Sequence, residues 1–127
     1  MSEESTQTIK REKFEATLSE GNILYFRYYE NMEVLEEDIL ESFEIHDILG
    51  VDENVKRIIH SEPFGSISKD ARHLVQNQSR PATAEAYVIT SLAQKIMFNL
   101  FIKVRKMKHS TRAFDKLDDA MEWIKKK

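Results

Sequence analysis

No cysteine occurs among the 127 residues, so disulfides and thiolate metal centres are excluded, and a reducing compartment, the cytoplasm, is the expected location. Glycine is almost as scarce. Gly21, Gly50 and Gly65 are the whole set, and they cannot spell a GxGxxG turn or a P-loop, so neither of those phosphate cradles exists here. Only two prolines accompany them, which leaves little material for flexible linkers. No apolar run approaches the ~20 residues that cross a bilayer. The opening segment MSEESTQTIKREK lacks the apolar core of a signal peptide. A chain of this length fits one domain around one core; residues 13–127 are expected to form it, with residues 1–12 frayed.

What is present alternates between the two hydrophobic periods. Phe14, Ala16 and Leu18 alternate with Lys13, Glu15 and Thr17, as in a half-buried strand. A turn at residues 19–22 leads into the apolar run 23–28, so the pair reads as a β-hairpin whose second strand lies deeper in the sheet. Leu35, Ile39 and Phe43 recur every four residues, which predicts a helix over 35–49 stopped by Gly50. Glu36, Glu37, Asp38, Glu41 and Glu44 then form its solvated face. Residues 55–60 and 84–89 read as strands. Between them lies a short helix capped by Ser68, with Ala71, Leu74 and Val75 inward, ending before Pro81. Ser91 caps a third helix running to about Val104. Asp115 caps a fourth, in which Leu117, Ala120, Met121 and Ile124 share a face, and residues 111–114 form a short strand before it. The order β-β-α-β-α-β-α-β-α predicts an α/β fold: a mixed, largely parallel five-stranded sheet with helices packed on it.

No catalytic constellation emerges from this text. His46, His60, His73 and His109 have no partners at metal-ligand spacing, and His46 and His60 read as core or boundary side chains satisfied by backbone. Carboxylates along a helix offer no irregular cage of oxygens for a cation. Neither a metal nor a cofactor is expected, and the chain reads as non-enzymatic. Charge is unevenly spread: residues 1–63 hold 6 Lys/Arg against 16 Asp/Glu (−10), and residues 64–127 hold 13 against 6 (+7). The basic cluster of Lys103, Arg105, Lys106, Lys108 and Arg112 has no interleaved aromatics, so nucleic acid is not the expected partner.

The third helix carries the most information. At 100° per residue, Ala93, Ile96, Met97, Leu100, Phe101 and Val104 share the expected core face. Phe98 and Ile102 fall on the other side, one turn apart beside Gln94 and Lys95. A pair of large apolar groups there predicts a partner surface, most simply that of a symmetric dimer.

Three stretches, GSISKDARHL, AYVITSLAQKIMFNLFIKVRK and STRAFDKLDDAMEWIKK, resemble the SpoIIAA-like branch of the STAS superfamily, small bacterial domains distantly similar in fold to the CRAL-TRIO lipid-transfer proteins. The resemblance runs from Phe14 onward and implies a helix-packed sheet, frequent homodimers and no intrinsic enzymatic activity. In the anti-sigma-factor antagonists, a serine of an Asp-Ser-Ser-Gly motif at the start of the second helix is phosphorylated. The matching stretch is Ser68, Lys69, Asp70 and Ala71, whose acceptor position falls on Lys69 or Asp70, so that switch is expected to be inactive. The resemblance thus points to a non-enzymatic protein-interaction or regulatory module, homodimeric, with a binder of a small apolar or lipid-like ligand as the alternative.

Overall fold

The computed structural model describes residues 6–127 apart from 63–64, 79 and 105–108, and for residues 101–104 the backbone alone. Eight strands and four helices alternate along it: β1 (Gln7–Lys10), β2 (Phe14–Ser19), β3 (Ile23–Tyr28), β4 (Glu33–Val34), α1 (Glu36–Leu49), β5 (Lys56–Ser61), β6 (Ser66–Ile67), α2 (Lys69–Gln78), β7 (Ala84–Val88), α3 (Leu92–Val104), β8 (Ser110–Phe114) and α4 (Leu117–Lys125).

The main sheet has the strand order β1-β2-β3-β5-β7-β8. β1, β2 and β3 pair antiparallel, and β3, β5, β7 and β8 pair parallel. Gly21 and Asn22 both take positive φ in the β2–β3 turn, as a tight hairpin matched to strand twist requires. The mixed, largely parallel α/β expectation therefore holds, but the sheet has six strands, not five. Residues 7–10, expected to be frayed, pair with the free edge of β2 from Gln7↔Leu18 to Lys10↔Glu15. An edge offers unpaired backbone groups to any neighbouring segment, and that pairing leaves no signature in a polar stretch whose sole apolar residue is Ile9. β4 and β6, also unanticipated, form a separate two-residue parallel ribbon.

Three crossovers, through α1, α2 and α3, all step in the same direction across the sheet. Right-handed connection puts all three helices on one face. α4 follows the last strand and packs on the other. Period-two alternation divides the strand residues between the two layers. Phe14, Leu24, Phe26 and Val55 meet Ile45 of α1, while Ile23, Ile58, Ala84, Ala86 and Val88 meet Ala120 and Ile124 of α4. The small side chains at 84, 86 and 120 let α4 approach closely.

Several local expectations are corrected by these packings. Asp38 is buried, not solvated: its Oδ2 accepts from the Leu35 N–H (2.7 Å) and from Lys13 Nζ (2.9 Å), which satisfies an otherwise orphan donor at the start of α1. Gly50 ends the helix in the left-handed region as expected. Asp115 does not cap α4. The N-cap is Lys116, and Asp115 instead pairs with Lys95 Nζ of α3 at 2.6 Å.

The rotation of α3 is the largest correction. Phe98 is half-buried, with its ring centroid 4.9 Å from that of Tyr87 on β7. Leu92, Ile96, Met97 and Leu100 are instead 73%, 52%, 40% and 52% exposed. The outward apolar face is therefore not at Phe98, and the Ile102 side chain lies outside the described residues. A tilted aromatic pair outweighs aliphatic contact of similar area, whereas the exposed Lys95–Asp115 pair adds little to that choice.

Candidate functional site

On the three-helix face the layers do not close. α1 and α2 pack on one another, and α3 stands across a groove of about 420 Å³ above the centre of the sheet. Its floor is made by residues that strand alternation aims at this face: Phe26 and Tyr28 from β3, Arg57, Ile59 and Ser61 from β5, and Glu85 and Tyr87 from β7. α1 supplies Ile39, Ser42, Phe43 and His46, and α3 supplies Ala93, Gln94, Met97 and Phe98. The β4–β6 ribbon closes one end with Val34, Ser66 and Ile67.

The floor also carries a buried polar network. Arg57 and Glu85 are direct partners in the β5–β7 register, so parallel pairing sets their side chains side by side. Arg57 Nε donates to Glu85 Oε2 at 2.7 Å, and both side chains are only 4% exposed. The rest of the guanidinium is engaged too. Nη1 donates to His46 Nε2 (3.0 Å) and Nη2 to the Arg80 carbonyl (2.7 Å). Because a guanidinium only donates, His46 Nε2 must be the acceptor nitrogen, and Nδ1–H then donates to the Ser42 carbonyl at 2.7 Å. His46 is thus held neutral: burial, chiefly, together with the nearby Arg57 and Arg80 charges, lowers its pKa to about 4. Burial pushes Glu85 the other way, but Arg57 and the hydrogen bond from His109 (3.3 Å) outweigh it and hold the carboxyl at about 2.

Arg80 continues the network outward, donating to the Phe43 carbonyl (3.0 Å) and to Asp47 (2.7 Å). Gln94 reaches in from α3. Its Nε2 donates to the Gly65 carbonyl at 3.3 Å, while its buried Oε1 has no partner among the described residues.

The structure distributes the sequence candidates as follows. Phe98 lines the groove wall, on the inner side of α3. Ser68 caps α2, its hydroxyl accepting the Ala71 N–H at 3.1 Å, and Lys69 and Asp70 stand exposed beside it, outside the groove lining. His46 is satisfied by backbone at Nδ1 alone, its Nε2 being held by Arg57, and His60 is held by the Tyr25 hydroxyl at 2.6 Å. Of the basic cluster, Arg112 lies over the Phe114 ring, and the Lys103, Arg105, Lys106 and Lys108 side chains fall outside the described residues. Sequence reasoning missed Arg57, Glu85 and Gln94. A signal existed for Glu85, the one charge in the otherwise apolar β7, but not for Arg57, which follows Lys56 at the start of β5. Among the described residues, no three His, Asp or Glu side chains gather as a cation site, and no helix is long and apolar enough to cross a membrane.

Residues 17–127 match the family model described as Domain of unknown function (DUF7793), and the chain belongs to that family. A comparison with curated proteins finds no match. Among solved structures, it is similar to an uncharacterized protein of the DUF3478 family with a SpoIIAA-like fold from Shewanella loihica PV-4. That likeness has 13% identity and a TM-score of 0.58, covering 94% of this chain and 91% of the other. The fold is therefore SpoIIAA-like.

Proposed function

We propose that this chain is a non-catalytic binding module whose groove takes a small apolar ligand. The groove itself carries the reading. Its volume of about 420 Å³ falls within the ~300–1,000 Å³ of small-molecule sites, and its walls are mostly aliphatic and aromatic with a few placed polar groups. The titratable groups of the floor are locked to one another, with Glu85 kept ionised against Arg57 and both ring nitrogens of His46 engaged, so none is poised to exchange a proton with a substrate. The cysteine-free composition suits the cytoplasm. Nile red, a neutral apolar dye that fluoresces on leaving water, is expected to bind saturably at one site. Ala93→Trp, which adds bulk from an exposed helix position into the groove, should weaken that binding about tenfold or more. Absence of saturable binding, or equal binding by the variant, contradicts the reading.

A second reading, self-association, draws on the exposed stripe of Leu92, Ile96 and Leu100, spaced one turn apart on the outer side of α3. A homodimer closing this stripe should be broken by Ile96→Glu in sedimentation velocity. Wild-type protein that sediments as a monomer at every accessible concentration eliminates the dimer.

A further inference from the structure

We infer that the ligand of the groove is an anionic amphiphile, an aliphatic chain ending in a carboxylate that Arg72 holds. The inference rests on the apolar-ligand reading and adds a head group to it. Among the described residues, the charges of the lining cancel in pairs save one. Arg57 is matched by Glu85, Glu62 by Arg27 at 3.2 Å and Arg80 by Asp47 at 2.7 Å, while His46 is neutral. Arg72 of α2 lines the same groove and has no ion pair among the described residues. Its place is fixed all the same. Nη1 donates to the Ile67 carbonyl at 3.1 Å, which ties the half-buried guanidinium to the ribbon that closes one end of the groove.

That bond spends the end of the guanidinium and leaves its side. Nε and Nη2 present parallel N–H groups along one edge of the plane, the edge that meets a carboxylate through two hydrogen bonds. Arg27 of this chain uses the same edge, its Nε and Nη2 lying 3.1 and 3.0 Å from Glu15 Oε1. At Arg72 both donors are without an acceptor among the described residues. An ammonium head would meet an unpaired cation and find Glu62 and Glu85 already engaged. A hydroxyl head would leave the charge of Arg72 unmatched. A carboxylate supplies one negative charge to the one surplus positive charge and disturbs no ion pair of the floor. Its chain then runs among Phe26, Ile39, Phe43, Met97 and Phe98.

Displacement of Nile red from the full chain by decanoate, decanol, decylammonium and decyl phosphate at neutral pH tests this. Decanoate should outcompete decanol by about tenfold and decylammonium by more. Decyl phosphate, whose second charge meets no second surplus cation, should bind no tighter than decanoate. Arg72→Gln keeps an N–H for the Ile67 carbonyl but loses the charge and the edge, so it should erase the preference for decanoate over decanol. Arg72→Lys keeps the charge without the edge and should retain part of it. Each preference is a ratio read within one protein, so a general change in the groove cancels. Decanol matching decanoate in the wild type overturns the inference, as does a preference that survives intact in Arg72→Gln. Tighter binding of decyl phosphate overturns the carboxylate. In each case saturable Nile red binding by the wild type leaves the apolar-ligand reading standing, whereas its absence removes both.

Discussion

Glu85→Ala should destabilise the protein by about 3–5 kcal/mol in urea unfolding, the largest effect of any single substitution considered. The reason is the charge left behind. Arg57 is 4% exposed, and without Glu85 it keeps only the His46 nitrogen and the Arg80 carbonyl as partners, neither of which carries a negative charge. Removing both members should cost less than removing one. The double variant Arg57→Met, Glu85→Leu replaces two buried ions by apolar groups of similar size, and should recover much of the loss, because neither ion then has to be desolvated. The remaining deficit comes from His46 Nε2 and the Arg80 carbonyl, which lose their donor, and from His109 Nε2, which loses its acceptor. A single variant within about 1 kcal/mol of wild type would mean that water reaches the pair through the groove. A double variant no better than the single would assign the cost to packing instead of charge.

Stability should fall in two stages as the solution is acidified, and the first should begin near neutrality. His46 ordinarily titrates at 6.5 and in the fold at about 4. Between those values the unfolded chain binds a proton that the native state refuses, so its contribution is complete above pH 6.5 and is lost as the pH falls towards 4. The full shift corresponds to about 3 kcal/mol. His60, whose pKa is also lowered, by burial first and by Arg27 as a smaller cause, adds in the same direction. Glu85 supplies the second stage. With its carboxyl held at about 2 against an ordinary 4.5, the stability it confers is present above pH 4.5 and lost between there and 2. Urea midpoints measured from pH 8 to 3 should therefore decline already between 7 and 5, before carboxylates of ordinary pKa titrate. His46→Gln should flatten that first decline whatever its effect at pH 8. A wild-type profile level from pH 7 to 5 contradicts the neutral, donor-bound His46.

Much of this chain is legible without coordinates, and the legible parts share a physical cause. The alternation at Phe14, Ala16 and Leu18, the cap at Ser68 and the left-handed stop at Gly50 are each fixed by interactions within a few residues along the chain. β1 is not legible in the same way, because its pairing is with an edge and requires nothing of its own side chains. Phe98 lies on the inner side of α3, not the outer side that periodicity suggests, because helical periodicity reports which residues share a face, not which face meets the sheet. Where nearly every position from 96 to 102 except Asn99 is apolar, two opposed faces fit the pattern almost equally well. Tyr87, on a strand of the sheet, meets the Phe98 ring and decides between them.

By itself, then, the sequence determined the class of the fold, the alternation of strands and helices, and the exclusion of thiolate chemistry and glycine-rich phosphate loops. It also contained Arg57 and Glu85, but as charges in two strands separated by a helix. Only the parallel register of β5 and β7 made them a pair, and only the spacing of three helices across one face of the sheet left a groove above them. Local interactions are encoded in neighbouring residues, so they can be read in order. A cavity is space that distant elements fail to fill, and its existence depends on how all of them pack at once.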